Sequence, residues 1–287
     1  MKYDLHMHSY FSACADKNNS IEHMLQVAEK NKLDVISITD HNTCITHLMA
    51  MYKDYKHLFK GTIITGMECD ICEDGMGLEA LAYNFDPVKI FEWVNKTYGT
   101  LESRQTKLKD TLLKLLKENG LTIDHSTPYN PKTDYAHHYI YNAMINSRVN
   151  QQFFKKYNIN NVTDFYRTSM SNKKFPLFVD KSKYTPNIQE VMNAVHKAGG
   201  IVVLAHPYDY QHVDAEYILK LATKYKVDGL EVYHPSADEN ATKYLLDFAT
   251  KNNLIITGGS DYHGTERRGN IGITNVNQEN IKINILN

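Results

Sequence analysis

The chain has 287 residues, 42% apolar and 23% charged, enough for one large domain or two small ones with a sizeable core. Its 32 Lys and Arg nearly balance 33 Asp and Glu, so the net charge of −1 offers no bulk attraction to nucleic acid or an anionic membrane. No apolar run approaches a membrane span, the start MKYDLHMHSY lacks the pattern of a secretion signal, and four cysteines are too few for a disulfide framework, so a cytoplasmic home is the default.

Seven short runs rich in Ile and Val read as strands, and helical patterns separate most of them. DLHMH (4–8) comes first. A helix follows from Ser20, a good N-cap, with Glu22 in its first turn. The next strands are DVISITD (34–40), GTIITGMEC (61–69) and LEALAYNF (78–85). Residues 86–185 then break the rhythm. They read as a mainly helical insertion, with one long helix from about 91 to 120, stopped by Gly120, and a shorter one near 136–146. The alternation resumes with a helix that ends at Gly199-Gly200 and the strand GIVVLAH (200–206). A helix at 215–225 precedes GLEVYH (229–234). The last pair is a helix at 241–253, with Tyr244, Leu245 and Phe248 on one face, and LIITGGSDYH (254–263).

Strands alternating with helices mark an α/β protein built around a parallel sheet. Residues 1–287 therefore read as a single barrel-type domain, with 86–185 as a cap or wall of the active site.

The strands end in residues that bind metals. His6 and His8 close the first, Asp40 and His41 the second, Glu68 the third, His206 the fifth, and Asp261 and His263 the last. Side chains at i and i+2 on a strand point the same way, so His6/His8 and Asp261/His263 form two forks. In a parallel β/α barrel all strand C-termini lie on one rim, where active sites are built. A rim this rich in titratable groups needs cations to neutralise its carboxylates. Cys69 and Cys72 form a lone CxxC, which without a second pair reads as structural rather than as half a zinc site or a redox pair.

At these residues the chain resembles the PHP (polymerase and histidinol phosphatase) family. DLHMHS, SITDHN, GMEC, LAHP and GGSDYHG stand where that family carries its ordered motifs. The resemblance implies a distorted (β/α)7 barrel of TIM-barrel type, a site for two to three divalent metal ions (Mn²⁺, Fe²⁺ or Zn²⁺), and phosphoesterase activity. It implies a first metal on His6, His8, Glu68 and Asp261, with Glu68 bridging to a second that His206 also binds. A third would sit on His41 and His263 with a ligand from the loop after His8, where Asp16 is the choice and Cys14 the alternative. The family commonly places a His on strand four; here Glu79 takes that place, either as a ligand favouring harder ions or pointing elsewhere.

The resemblance also implies hydrolysis of a phosphate monoester or diester of a small metabolite or nucleotide by a metal-bridging hydroxide. The catalytic candidates are Glu68, Asp40 and His206, the last two as proton relays or orienting groups. His137 and His138 in the insertion are candidates to touch phosphate, or else surface residues. Arg148, Lys181 and Arg267 are phosphate-clamp candidates, and His234 ends strand six where it can line the pocket. Glu231 on that strand reads as structural. Two other readings are a metal-dependent amidohydrolase-type enzyme and a non-catalytic accessory module. A small phosphorylated substrate is expected, with no stable nucleic-acid partner and no membrane; the oligomeric state is left open.

Overall fold

The computed structural model describes residues 1–264, 270–273 and 281–286. The fold is mixed α/β. In chain order the elements are β1 (Tyr3–Asp4), α1 (Ile21–Lys30), β2 (Val35–Ile36), α2 (Ile45–Ala50), β3 (Thr62–Ile63), β4 (Gly66–Glu73), β5 (Met76–Tyr83), α3 (Pro87–Tyr98) and α4 (Leu101–Glu118). There follow α5 (Ala136–Met144), α6 (Arg148–Lys156), α7 (Val162–Asp164), α8 (Ile188–Lys197), β6 (Ile201–Leu204), α9 (Ala215–Tyr225), β7 (Gly229–Tyr233), α10 (Glu239–Lys251) and β8 (Ile255–Gly258). Among the described residues no helix is long and apolar enough to cross a membrane.

The strands form two sheets, β1-β2-β3 and β4-β5-β6-β7-β8. The all-parallel expectation needs a correction. β1, β2 and β3 run parallel, as do β6, β7 and β8, but β5 pairs antiparallel to β6. The cause is local: Asp74 and Gly75 both take positive φ, giving a two-residue turn between β4 and β5 where a crossover helix was absent. The predicted third strand is also divided, its first part becoming β3 and its second β4. Beyond the strands, single parallel bridges pair Met7 with Tyr262 and His41 with Glu68 of β4.

The chain forms two compact units. One comprises Met1–Ile71, Leu78–Lys96 and Pro186–Asn287; the other comprises Cys72–Gly77 and Thr97–Thr185. The first holds both sheets apart from the ends of β4 and β5 that flank their turn. One of its apolar clusters packs Met24 and Leu25 of α1 against Ile36, Ile38, Phe59 and Tyr262. The second is mostly helical and has its own core of Leu112, Leu116, Ile140, Met144, Phe154 and Phe165. The single helix expected over 91–120 is in fact two. Gly99 has φ +64°, and the Thr100 side chain accepts a hydrogen bond from Ser103 N, so the first helix stops and a new one is capped.

Several helix ends follow the sequence. Ser20 caps α1, accepting from His23 N, and Asn187 with Glu190 makes a capping box on α8. On α10 the buried face is Thr242, Leu245 and Ala249, whereas Tyr244 is exposed, contrary to the face expected.

Candidate metal centre

Backbone pairing brings the two forks together. His8 N donates to Tyr262 O (2.8 Å), and Asp261 N donates to His6 O (2.8 Å). The approach is close enough that a Cβ on Gly259 would lie 2.3 Å from His6 Cβ, so only glycine fits there. On the other flank Asn42 N donates to Glu68 O (2.7 Å), which holds His41 beside Glu68. His206 follows β6 with φ +26°, and Asp261 follows β8 with φ +53°. Non-glycine residues in this region are strained, and such strain collects at functional sites.

The result is a ring of imidazoles around Glu68. Its Oε2 lies 3.3 Å from His6 Nε2, 3.2 Å from His8 Nε2 and 3.2 Å from His41 Nε2, while its Oε1 lies 3.0 Å from His206 Nε2. Asp261 Oδ1 stands 3.4 Å from His6 Nε2 and 3.2 Å from His8 Nε2. Glu79 Oε2 is 3.4 Å from His206 Nε2. All of these residues belong to the first unit.

Charge and tautomer suit cations. Burial disfavours charged imidazole, yet Glu231, Glu68 and Asp261 raise the His6 pKa well above its ordinary value. His206 follows the same balance, burial against Glu68 and Glu79, and rises to about 9. Conversely, burial would raise Glu68 and Asp261, but the surrounding histidines hold both well below the usual carboxylate range. Glu79 is pushed up, by burial first and by Glu68 second. A strongly negative pocket is thus balanced by protons, and divalent cations would displace them.

Several Nε2 atoms are prepared as donors. His6 Nδ1 lies 3.0 Å from Glu231 Oε1, and His8 Nδ1 lies 3.1 Å from Ser12 Oγ, whose own proton goes to Asp40 (2.8 Å). In its neutral form each ring therefore carries its proton on Nδ1, so the loss of the extra proton frees the lone pair of Nε2. Both Nε2 atoms are buried and turned toward the Glu68 and Asp261 carboxylates, where imidazole and carboxylate together could hold a cation. His234 has the opposite tautomer. Its Nδ1 accepts from Ser236 N (3.1 Å), so the neutral ring carries its proton on Nε2, 3.6 Å from Asp261 Oδ2.

Each ligand expected from the sequence can be placed. His6, His8, Glu68 and Asp261 form one group with ligand atoms within 4.8 Å of one another, and Glu68, Glu79 and His206 form a second. The third group joins His41 and His263 with His8 and Cys14. Asp16, the loop ligand expected, belongs to no such group of described residues, and its carboxylate packs beside Gly264. The Asp40 carboxylate accepts from Ser9 N (2.8 Å), Ser9 Oγ (2.7 Å), Ser12 Oγ (2.8 Å) and Thr46 Oγ1, contacts that suit the orienting one of its two expected roles.

The substrate-side candidates are scattered. His234 is buried in the centre, 5.1 Å from the His206 ring. In the second unit His137 packs on Tyr166 (4.7 Å) and on His138 (4.6 Å). Burial first, then His138 and Lys181, lowers the His137 pKa to about 3. Lys181 Nζ donates to Tyr166 OH (3.0 Å), and Arg148 opens α6 on the surface. Arg267 lies outside the described residues. Cys69 and Cys72 are both buried, consistent with packing.

Sequence reasoning read Glu231 as structural and passed over Tyr210 and Asp70. Glu231 holds His6 Nδ1 with one oxygen and His206 N (2.8 Å) with the other. A carboxylate in the middle of an apolar strand was the available signal. Tyr210 accepts from Glu79 N (2.8 Å) and packs against His206, and Asp70 faces His41 Nδ1 at 3.8 Å. Neither stands at a strand end, so no pattern marked it.

Comparison with known proteins points to one family. The PHP domain family matches residues 4–248. A 5'-3' exoribonuclease from Haemophilus influenzae is 24% identical over 271 residues, spanning 91% of this chain and 90% of that protein. A protein assigned as a metal-dependent phosphoesterase from Bifidobacterium adolescentis superposes with a TM-score of 0.62 at 23% identity, covering 94% of this chain and 92% of the other. An amidohydrolase from Chromobacterium violaceum, solved with sulfate and no metal, gives a TM-score of 0.66 at 17% identity, covering 94% and 90%. At these identities the two structures share the fold with this chain.

Proposed function

The chain belongs to the PHP domain family, and from that premise we propose that its first unit is a divalent-metal hydrolase of phosphate esters, acting on nucleotides or short oligonucleotides. The observation that carries the reading is the position of Glu68, with one carboxylate oxygen toward His6, His8 and His41 and the other toward His206. A carboxylate so divided suits the bridge between two cation sites. His6, His8 and Asp261 would complete the first, and Glu79 and His206 the second, with His41 and His263 in a third.

Bound divalent ions would supply a water of lowered pKa and neutralise charge on the phosphoryl oxygens. The chain's own residues do the rest. Glu231 and the Ser12–Asp40 pair fix the rings of His6 and His8. His234 directs its Nε2–H beside Asp261 and is suited to donate a hydrogen bond to the leaving oxygen. The likeness to an exoribonuclease across nearly the whole chain supports nucleotide phosphate as the substrate class, so nucleic acid enters as substrate rather than as stable partner. We further read the two sheets and their two bridges as a distorted (β/α)7 barrel.

The test is a substrate panel with added Mn²⁺: 5'-phosphorylated oligoribonucleotides, nucleoside bisphosphates, histidinol phosphate, and amide and lactone substrates. Turnover of phosphate esters, reduced roughly 10³-fold or more in Glu68→Gln, is expected. Turnover of amides or lactones alone would replace this reading with the amidohydrolase-type one.

A further inference from the structure

One corner of the centre differs chemically from the rest. Cys14, in the loop after β1, offers its Sγ within 4.8 Å of ring nitrogens of His8, His41 and His263. His8 Nε2 faces two carboxylates of the first group, Glu68 Oε2 and Asp261 Oδ1 at 3.2 Å each, whereas His41 Nε2 shares only the Glu68 Oε2 contact (3.2 Å). That leaves a sulfur and two imidazoles. His263 gives Nδ1–H to the Asp261 carbonyl (2.7 Å), so its lone pair lies on Nε2. The loop is held in place by Tyr10 N to Asn19 O (2.9 Å), Ala15 N to Ser12 O (2.9 Å) and Asp16 N to His263 O (2.8 Å). The thiol is therefore presented by fixed backbone.

We propose that Cys14, His41 and His263 form a site for a thiophilic divalent cation, zinc or ferrous iron, so that this centre holds two kinds of ion. The other two sites draw on Glu68, Glu79 and Asp261 and present hard carboxylate oxygen. Thiolate selects softer metals, and carboxylate tolerates Mn²⁺ and Mg²⁺. Three protein ligands leave the fourth tetrahedral position open, as zinc sites that meet a substrate do. The inference rests on the first unit binding divalent ions, and is independent of which bond is hydrolysed.

The experiment uses the full chain without substrate. Cobalt(II) is added to the metal-free protein and the near-ultraviolet sulfur-to-cobalt charge-transfer band is recorded. The band is expected in the wild type and should vanish in both Cys14→Ser and Cys14→Asp, with zinc affinity reduced roughly tenfold or more. In parallel, zinc is expected to protect one thiol of the native wild type from an aromatic disulfide reagent. Cys44, Cys69 and Cys72 are buried and Cys14 is only half-buried, so the reactive thiol is Cys14. A wild-type protein with neither the band nor the protection overturns the proposal, as does a band that survives in a folded Cys14 variant. Should neither variant fold, wild-type protection alone decides. A chain that shows band and protection but hydrolyses no phosphate ester leaves this site standing and removes only the substrate reading.

Discussion

Glu231 Oε1 sits 3.0 Å from His6 Nδ1, and both residues are fully buried. The contact spans 225 positions of sequence and fixes which nitrogen of His6 faces Glu68 and Asp261. Outer partners of this kind raise the basicity of a ligand and hold its ring angle. Glu231→Gln should therefore weaken metal binding about 10–100-fold while the fold survives. Isothermal titration of metal-free protein checks this; unchanged affinity would make Glu231 merely structural.

The same logic runs through Ser12. Its hydroxyl gives its proton to Asp40, accepts from His41 N (3.0 Å) and meets His8 Nδ1. Ser12→Ala should lower metal affinity through His8. Asp40→Ala should also destabilise the metal-free protein, since it strands several buried donors at roughly 1–3 kcal/mol each. Thermal melts of both variants, with and without Mn²⁺, separate the two effects.

Without metal, His206 is a base raised to about 9 from an ordinary 6.5. A pKa raised on folding gives stability that is full below the unfolded value and fades as pH climbs through the folded one. The His206 contribution should thus be complete below about pH 6.5 and lost by about pH 9 in the metal-free protein. With Mn²⁺ bound that alkaline loss should disappear, because the cation takes the proton's place. Metal binding near pH 7.5 should also release protons, measurable by calorimetry in buffers of different ionisation enthalpy.

Gly99 separates α3 from α4 with φ +64°, a conformation costly for a side chain. Gly99→Ala should cost about 1 kcal/mol, seen as a lower unfolding midpoint in urea.

The sequence was most legible where period and chemistry coincided. The His6/His8 and Asp261/His263 forks stood out because alternate strand residues share a side, and the structure zips them together through Met7 and Tyr262. Glu231 was read only as structural because its partners are remote and its strand is buried throughout. The loop after His8 was ambiguous, since Cys14 and Asp16 lie two residues apart and only the folded loop shows Cys14 grouped with His41 and His263. The helix break at Gly99 was masked by leucines that keep a helical period on either side of it. The β4–β5 turn at Asp74-Gly75 was legible in kind but was not read, so an antiparallel pair was taken for part of a parallel series.

The most direct test is a crystal grown with manganese and zinc and examined at each metal's absorption edge. The account predicts ions bound at about 2.0–2.3 Å by His6, His8, Glu68 and Asp261, and by Glu79 and His206, with Glu68 shared between two of them. Density showing those side chains around ordered water alone, with no anomalous signal at saturating metal, would contradict it.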